Sequence, residues 1–336
     1  KHMLWALACA SLLFMLIFGD SIMLSKINVA VLGAGPWAQR YHLPALKILE
    51  KDECIEIAGI WNRTIEKANI AANQFNISRV YNNLDEVIND KVIDCYIILV
   101  HSDAVFNLAM LVNQSNLPIF IEKPPGNSFE QARQLAENIK VQNVVAFNRR
   151  YMPINQHFYD LVSNTEKPYF AECHFYRNAK LTKPFILETG IHGINFMEYF
   201  CGAVSAISKV QKSRTPNGEE FWICDALFES GIRGILKFFS SCGSNIERYE
   251  LHSDSQSLYL YCPQIYTTDR PGRIFVYKNG NLLETIYDQD KNELETAGFL
   301  NEYRDFFSAI RYGTPTKSNF INSAHSLKIA ELIQSA

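Results

Sequence analysis

The 336-residue chain lacks an excess of charge of either sign: 32 Lys and Arg stand against 35 Asp and Glu, a net charge of −3. Dedicated nucleic-acid binders usually carry a strong basic surplus, so that class is set aside. No two of its eight cysteines are spaced C-x-x-C, which removes the zinc knuckle and the dithiol redox pair. Several, such as Cys95 in IDCYIILV, sit in apolar runs and read as buried free thiols of a reducing compartment. His42, His101, His157, His174, His252 and His325 form no cluster, and Glu188 and His192 have no third ligand at suitable spacing, so no metal is expected. Internal repeats and low-complexity linkers are missing too. The apolar run Leu4–Gly19 falls short of the roughly 20 residues that span a bilayer, and no A-x-A cleavage site follows it. Residues 1–25 are therefore expected to be an appended leader or cloning remnant outside the fold, with the protein cytoplasmic and no membrane partner.

What is present is a globular composition, 48% hydrophobic and 20% charged. From Ile27 onward, strands alternate with helices. Ile27–Leu32, Ile55–Trp61, Cys95–Val100, Ile119–Ile121 and Val144–Phe147 read as buried strands, with helices over Trp37–Leu49, Thr64–Phe75, Asp103–Gln114 and from Ser128 to about Lys140. Ser128-x-x-Gln131 is a capping box. This alternation implies an α/β doubly wound parallel sheet, a Rossmann domain over 26–148. After it, Tyr169–Tyr176, Phe221–Phe228, Ile232–Phe239, Glu247–His252, Ser257–Tyr261, Arg273–Lys278 and Leu282–Tyr287 read as strands, with a hairpin turn at Asn279-Gly280. Helices are expected at Gly190–Phe200, Leu300–Tyr312 and Ile321–Gln334. Residues 149–336 thus form an α+β domain with a large, mostly antiparallel open sheet, suited to substrate binding and oligomerisation.

Gly33-Ala34-Gly35-Pro36-Trp37-Ala38 joins the first strand to the first helix, which is G-x-G-x-x-A in its required context. The first Gly permits the tight turn, the second lets the backbone approach a pyrophosphate, and Ala38 lets helix and strand pack closely. The helix N-terminus offers free N–H groups to the phosphates. After the second strand an NAD enzyme would place Asp or Glu against the ribose hydroxyls. Here the residues are Trp61-Asn62-Arg63-Thr64, and Arg63 can pair with a 2′-phosphate, so NADP is expected, with NAD possible. Arg63 and Thr64 also fit a plain reading, as a solvated cation and a helix cap.

Glu122-Lys123-Pro124 follows the fourth expected strand of this half, and Phe147-Asn148-Arg149-Arg150-Tyr151 closes it. Glu188-x-Gly190-x-His192-x-x-Asn195 and Tyr303-Arg304-Asp305-Phe306 complete a set that resembles the glucose–fructose oxidoreductase/inositol dehydrogenase (Gfo/Idh/MocA) family. The resemblance departs at Glu188 and Asn195, where the family has Asp, and at His101-Ser102-Asp103, where relatives carry Thr-Pro-Asn and then a His in place of Phe106. It implies an NAD(P)-dependent dehydrogenase or reductase acting on a CH–OH group of a sugar, sugar derivative or cyclic polyol. Implied cofactor contacts are Gly33, Gly35, Pro36, Trp37, Ala38, Asn62, Arg63, His101, Ser102, Glu122 and Lys123. Implied substrate contacts are Asn148, Arg149, Tyr151, Tyr176, Arg177 and His192. A cis bond before Pro124 and a homodimer or homotetramer through the open sheet are implied as well.

The residue chemistry agrees. Alcohol oxidation needs a base for the hydroxyl proton, a role that suits His192. Lys123, at the carboxyl end of a parallel strand, would stabilise developing charge on the oxygen. Glu188 and His192 stand four apart, so on a helix they would share a face, with the carboxylate supporting the imidazole. Each alone also fits a structural role, His192 as a half-buried histidine at a helix start. Lys180 and Lys183 could meet an acidic or nucleotide-linked substrate, or be solvated. Two other readings keep the fold: a glycosidase working through transient oxidation, and a non-catalytic nucleotide-sensing regulator.

Overall fold

A computed structural model of the chain describes residues 25–52, 54–178, 184–289 and 292–336. The apolar leader, together with Lys180 and Lys183, lies outside the described residues. Five short strands, β1 (Ile27–Leu32), β2 (Ile55–Trp61), β3 (Cys95–Ile98), β4 (Ile119–Ile121) and β5 (Asn143–Val145), form one parallel sheet in the order β2-β1-β3-β4-β5. β3 and β4 are buried along their whole length, as continuous apolar runs require when helices cover both faces. The chain passes from β1 outward to β2 and then back across to β3. The connection reverses between β1 and β3, and ligands of open α/β sheets bind outside the carboxyl ends at such a point. Ser128 caps its helix, accepting a bond from the Gln131 backbone N–H, while the Gln131 side chain accepts from the backbone of Asn127.

The second sheet has eight strands: β6 (Phe170–Tyr176), β7 (Val204–Arg214), β8 (Glu220–Phe228), β9 (Arg233–Phe239), β10 (Ile246–His252), β11 (Gln256–Tyr261), β12 (Arg273–Lys278) and β13 (Asn281–Tyr287). Their order is β13-β12-β11-β10-β6-β9-β8-β7, antiparallel except for the parallel pair β6–β9. The expected hairpin at Asn279-Gly280 is present, with both residues at positive φ.

The elements that escaped the sequence reading include β7 and the helices Leu84–Asn89, Pro153–Ser163 and Glu293–Thr296. β7, sequence VSAISKVQKSR, is an edge strand whose polar side chains face solvent, so it carries little apolar alternation. The helix Pro153–Ser163 buries Ile154, Phe158 and Val162 at four-residue spacing, a helical signal that was present but unread.

One face of the eight-stranded sheet is covered by the helix Ile191–Cys201, which is buried along nearly its whole length. The last two helices return to the first sheet. Phe299–Tyr312 packs on it through Tyr303 and Phe306 against Phe120, and Phe320–Ser335 packs on the helix Phe129–Asn138. The cleft lies where the carboxyl ends of β1, β3 and β4 meet the buried face of the second sheet.

Candidate active site

The nucleotide end is built from backbone. Gly33 has φ +119°, and a Cβ there would lie 2.3 Å from the Leu99 carbonyl oxygen, so neither the conformation nor the space admits another residue. Gly35 is the opposite case, because nothing lies within 4 Å of where its Cβ would be. That open space, just before the helix that begins at Pro36, is what a pyrophosphate needs. Asn62 ties the two neighbouring turns together: its Oδ1 accepts from Ala34 N at 3.1 Å and its Nδ2 donates to Thr64 O at 2.9 Å. Thr64 itself makes no side-chain cap, contrary to the plain reading. Arg63 is exposed, without an ion-pair partner among the described residues, on the rim of a groove of about 720 Å³ that runs past Gly35, Leu99, Val100 and His101. These features fit a dinucleotide.

A second cavity, about 520 Å³, shares Gly35, Leu99, Val100 and His101 with that groove and continues it toward the second sheet. Trp37, 39% exposed, stands at its mouth. Lys123 enters it from the end of β4, and its bond to Pro124 is cis. Its Nζ donates to the Glu188 carbonyl at 2.6 Å. Burial pulls the ammonium below its ordinary pKa, while the Glu122 and Glu188 carboxylates oppose that shift. Glu122 accepts from the Lys123 backbone N–H at 2.9 Å and lies 2.6 Å from Nε2 of His42, whose Nδ1 meets the Tyr303 hydroxyl at 2.7 Å. Burial raises the Glu122 pKa but is outweighed by His42 and Lys123, which hold it below the usual value.

His192 comes from the other side, on the helix Ile191–Cys201, edge-on to Phe147 at 5.7 Å. Its Nδ1 is buried without a partner among the described residues, which leaves Nε2 as the ring nitrogen able to face the cavity. Burial first, and then the cations Arg149, Lys123 and Arg177, push its pKa well below 6.5, so the ring is neutral. Arg149 and Arg177 line the same cavity and share one carboxylate. Arg149 donates through Nε and Nη2 to Glu247 at 3.1 and 2.7 Å, and Arg177 donates to it through Nη2. Glu247 is fully buried.

Several expected residues are placed elsewhere. Glu188 is not bonded to His192; its carboxylate accepts from Ser102 Oγ at 2.9 Å. The segment Ile186–Gly190 is a π-helical turn, and its wider pitch breaks the four-residue alignment with His192. Tyr176 lies on the opposite face of β6 from Arg177, with its hydroxyl 3.1 Å from His174 Nδ1, so it does not reach the cavity. Tyr151 is buried and donates to Asp305. Asn148 sits behind Arg149, accepting from its Nη1 at 2.8 Å and donating to Ala297 O at 2.9 Å. Asn195 is buried against Arg150 and Ser326. Ser102 and His101 lie on the cavity rim.

Sequence reasoning missed Glu247 and His42. For Glu247 a signal existed: the alternation Glu247, Tyr249, Leu251 in β10 puts a carboxylate on the buried face, where it must find cations. For His42 no local signal existed, since both its partners are distant in sequence.

Residues 27–149 match the model of the Gfo/Idh/MocA oxidoreductase family, described as NAD-binding Rossmann fold. The uncharacterized oxidoreductase YhhX of Escherichia coli is 21% identical over 339 residues, covering 92% of this chain and 95% of that protein. Among solved structures, UDP-N-acetylglucosamine 3-dehydrogenase GnnA from Acidithiobacillus ferrooxidans matches with a TM-score of 0.76 at 16% identity, over 93% of this chain and 98% of the other. A mutant of KijD10, a 3-ketoreductase from Actinomadura kijaniata in complex with TDP-benzene and NADP, matches with a TM-score of 0.74 at 15% identity, over 92% and 97%. At such identities the likeness is one of fold. The fold class and the resemblance read from the motifs are borne out.

Proposed function

We propose that this chain, an NAD(P)-dependent oxidoreductase whose residues 27–149 belong to the Gfo/Idh/MocA family, interconverts a secondary alcohol and a ketone on a sugar, sugar derivative or cyclic polyol. The observation that carries the reading is convergence: Lys123, from the end of β4, and His192, from the helix Ile191–Cys201, line one cavity that shares its lining with the glycine-turn groove. The bound nicotinamide supplies the hydride acceptor or donor. In the oxidative direction the hydride leaves the carbinol carbon and the hydroxyl proton leaves for His192 Nε2. The neutral state of that ring is the one that can accept a proton. The Lys123 ammonium hydrogen-bonds the reacting oxygen and stabilises its developing charge. The Glu188 carbonyl aims the Lys123 amine in the meantime, a role at the backbone rather than at the carboxylate.

The missing carboxylate at Asn62 and the Arg63 cation, unpaired among the described residues, support NADP over NAD. The UDP-N-acetylglucosamine named for one structural neighbour supports a sugar-like substrate. A cytoplasmic homodimer or homotetramer, paired through the open face of the second sheet, completes the reading. No helix among the described residues is long and apolar enough to cross a membrane. The test is reduction of bound NADP+ by a panel of sugars, sugar acids and polyols. Cofactor binding without hydride transfer from any of them would move the regulator reading ahead.

A further inference from the structure

We infer that the substrate carries a carboxylate beside its reacting carbinol, held by Arg149 and Arg177: a sugar acid, not a neutral sugar. This deepens the proposed reaction and rests on it. Two buried guanidiniums share the single carboxylate of Glu247, which leaves one positive charge uncompensated. Donors are left over as well. Glu247 and Asn148 take Nε, Nη2 and one hydrogen of Nη1 of Arg149, and Arg177 keeps an Nε with no partner among the described residues. The other carboxylates at the cavity bond no arginine: Glu122 meets His42 and the Lys123 backbone, Glu188 meets Ser102, and the charges of both act on Lys123.

A buried charge without a counter-charge is costly, and one guanidinium would have sufficed to balance Glu247. The hydroxyls of a neutral polyol would satisfy the spare donors but leave the charge. A carboxylate monoanion supplies both acceptors and one negative charge, in the geometry a guanidinium fork recognises. A phosphate dianion would exceed the surplus. The same carboxylate would act on His192. The charged groups bearing on that ring are all cations, Arg149, Lys123 and Arg177, and an anion among them makes its protonation during alcohol oxidation less costly.

The test uses the NADP+-loaded protein and configurationally matched substrates: aldonates against alditols, uronates against aldoses, with sugar phosphates as a third arm. The acids should exceed their neutral partners in kcat/KM by about 100-fold or more, as a site with buried polar groups rejects the analogue lacking their partner. In Arg177→Met that ratio should collapse toward one, and Arg177→Lys, which keeps the charge, should retain part of it. Neutral partners used as well as acids, or phosphates preferred to both, would overturn the inference. Glycolate, a monoanion, titrated into the loaded protein separates the two readings if no substrate reacts. Binding that weakens at least tenfold in Arg177→Lys keeps the carboxylate site while the proposed reaction falls. Absence of glycolate binding refutes the site.

Discussion

The two ends of the cleft are made of different materials. At the nucleotide end the chain contributes backbone, through a glycine at φ +119° whose Cβ has no room and a second with empty space around it. At the substrate end it contributes charged side chains from four places in the sequence, the buried Arg149, Arg177 and Glu247 and the half-buried Lys123. The nucleotide end can therefore be lost by adding a single methyl group. The substrate end is lost by unbalancing a charge.

The largest effect expected is on chemistry without effect on cofactor. Lys123→Ala and His192→Ala should each slow single-turnover hydride transfer by about 10²–10⁴-fold. The dissociation constant for NADP, measured by titration, should stay within a few-fold, because the site proposed for the phosphates is the Gly33–Ala38 turn. Parallel loss of binding and rate would mean the two ends are not separable.

Glu247→Ala should leave two guanidiniums buried without a counter-charge. A loss of about 3–5 kcal/mol in stability follows, read as a drop in the denaturant midpoint. Gly35→Ala should leave that midpoint almost unchanged, since its Cβ meets no atom within 4 Å, yet weaken NADP binding. Arg63→Ala should weaken NADP by roughly 1–3 kcal/mol and spare NAD. Equal affinity of the unaltered protein for both cofactors would remove Arg63 from the cofactor's phosphate.

The pH profile should sharpen the same contrast. His192 is held well below 6.5, so its proton-accepting form is fully present above that value, and single-turnover oxidation should show no His192 limb between pH 6.5 and 8. Lys123 is held below 10.5, so the loss of its proton should bring the alkaline limb in earlier than that. An acid limb centred near 6.5 would place a solvated histidine in the role of base.

The two ends also differed in legibility. The glycine turn is a local pattern, six residues at a strand-to-helix junction, and the structure places it as the motif implied. Lys123 likewise follows from its position at a strand end. The arginine pair was legible only as a resemblance, because its partner Glu247 lies 98 residues from Arg149 and only the sheet brings them together. Glu188 misled the reading because sequence spacing assumes an α-helical pitch, and a π turn supplies a different one. Tyr176 misled it because neighbouring residues of a strand face opposite ways, so it and Arg177 cannot both line one cavity. β7 was missed because an edge strand in solvent has no apolar face to announce it.

The smallest effect concerns a group behind the charged end. Glu302, on the helix Phe299–Tyr312, is fully buried, and neither carboxyl oxygen is bonded among the described residues. Burial, and then the Glu122 carboxylate, raise its pKa well above 4.5, with Arg149 opposing, so the folded protein keeps its proton at pH values where the unfolded chain releases it. The folded state binds more protons, and stability therefore declines as pH rises above about 4.5 until the folded pKa is passed, by at most about 1.4 kcal/mol per pH unit. Glu302→Gln removes the titration while keeping the shape. At pH 5 the variant should be equal to or slightly less stable than the parent, since its amide gains donors that need partners. The difference in melting temperature should then move in the variant's favour at each step from pH 5 to pH 8. A difference that stays constant across that range would mean that Glu302 is ionised in the folded protein, paired with a cation. Arg149 is the candidate nearest in effect, and the surplus positive charge at the substrate end would then be smaller than the Arg149–Glu247–Arg177 cluster alone implies.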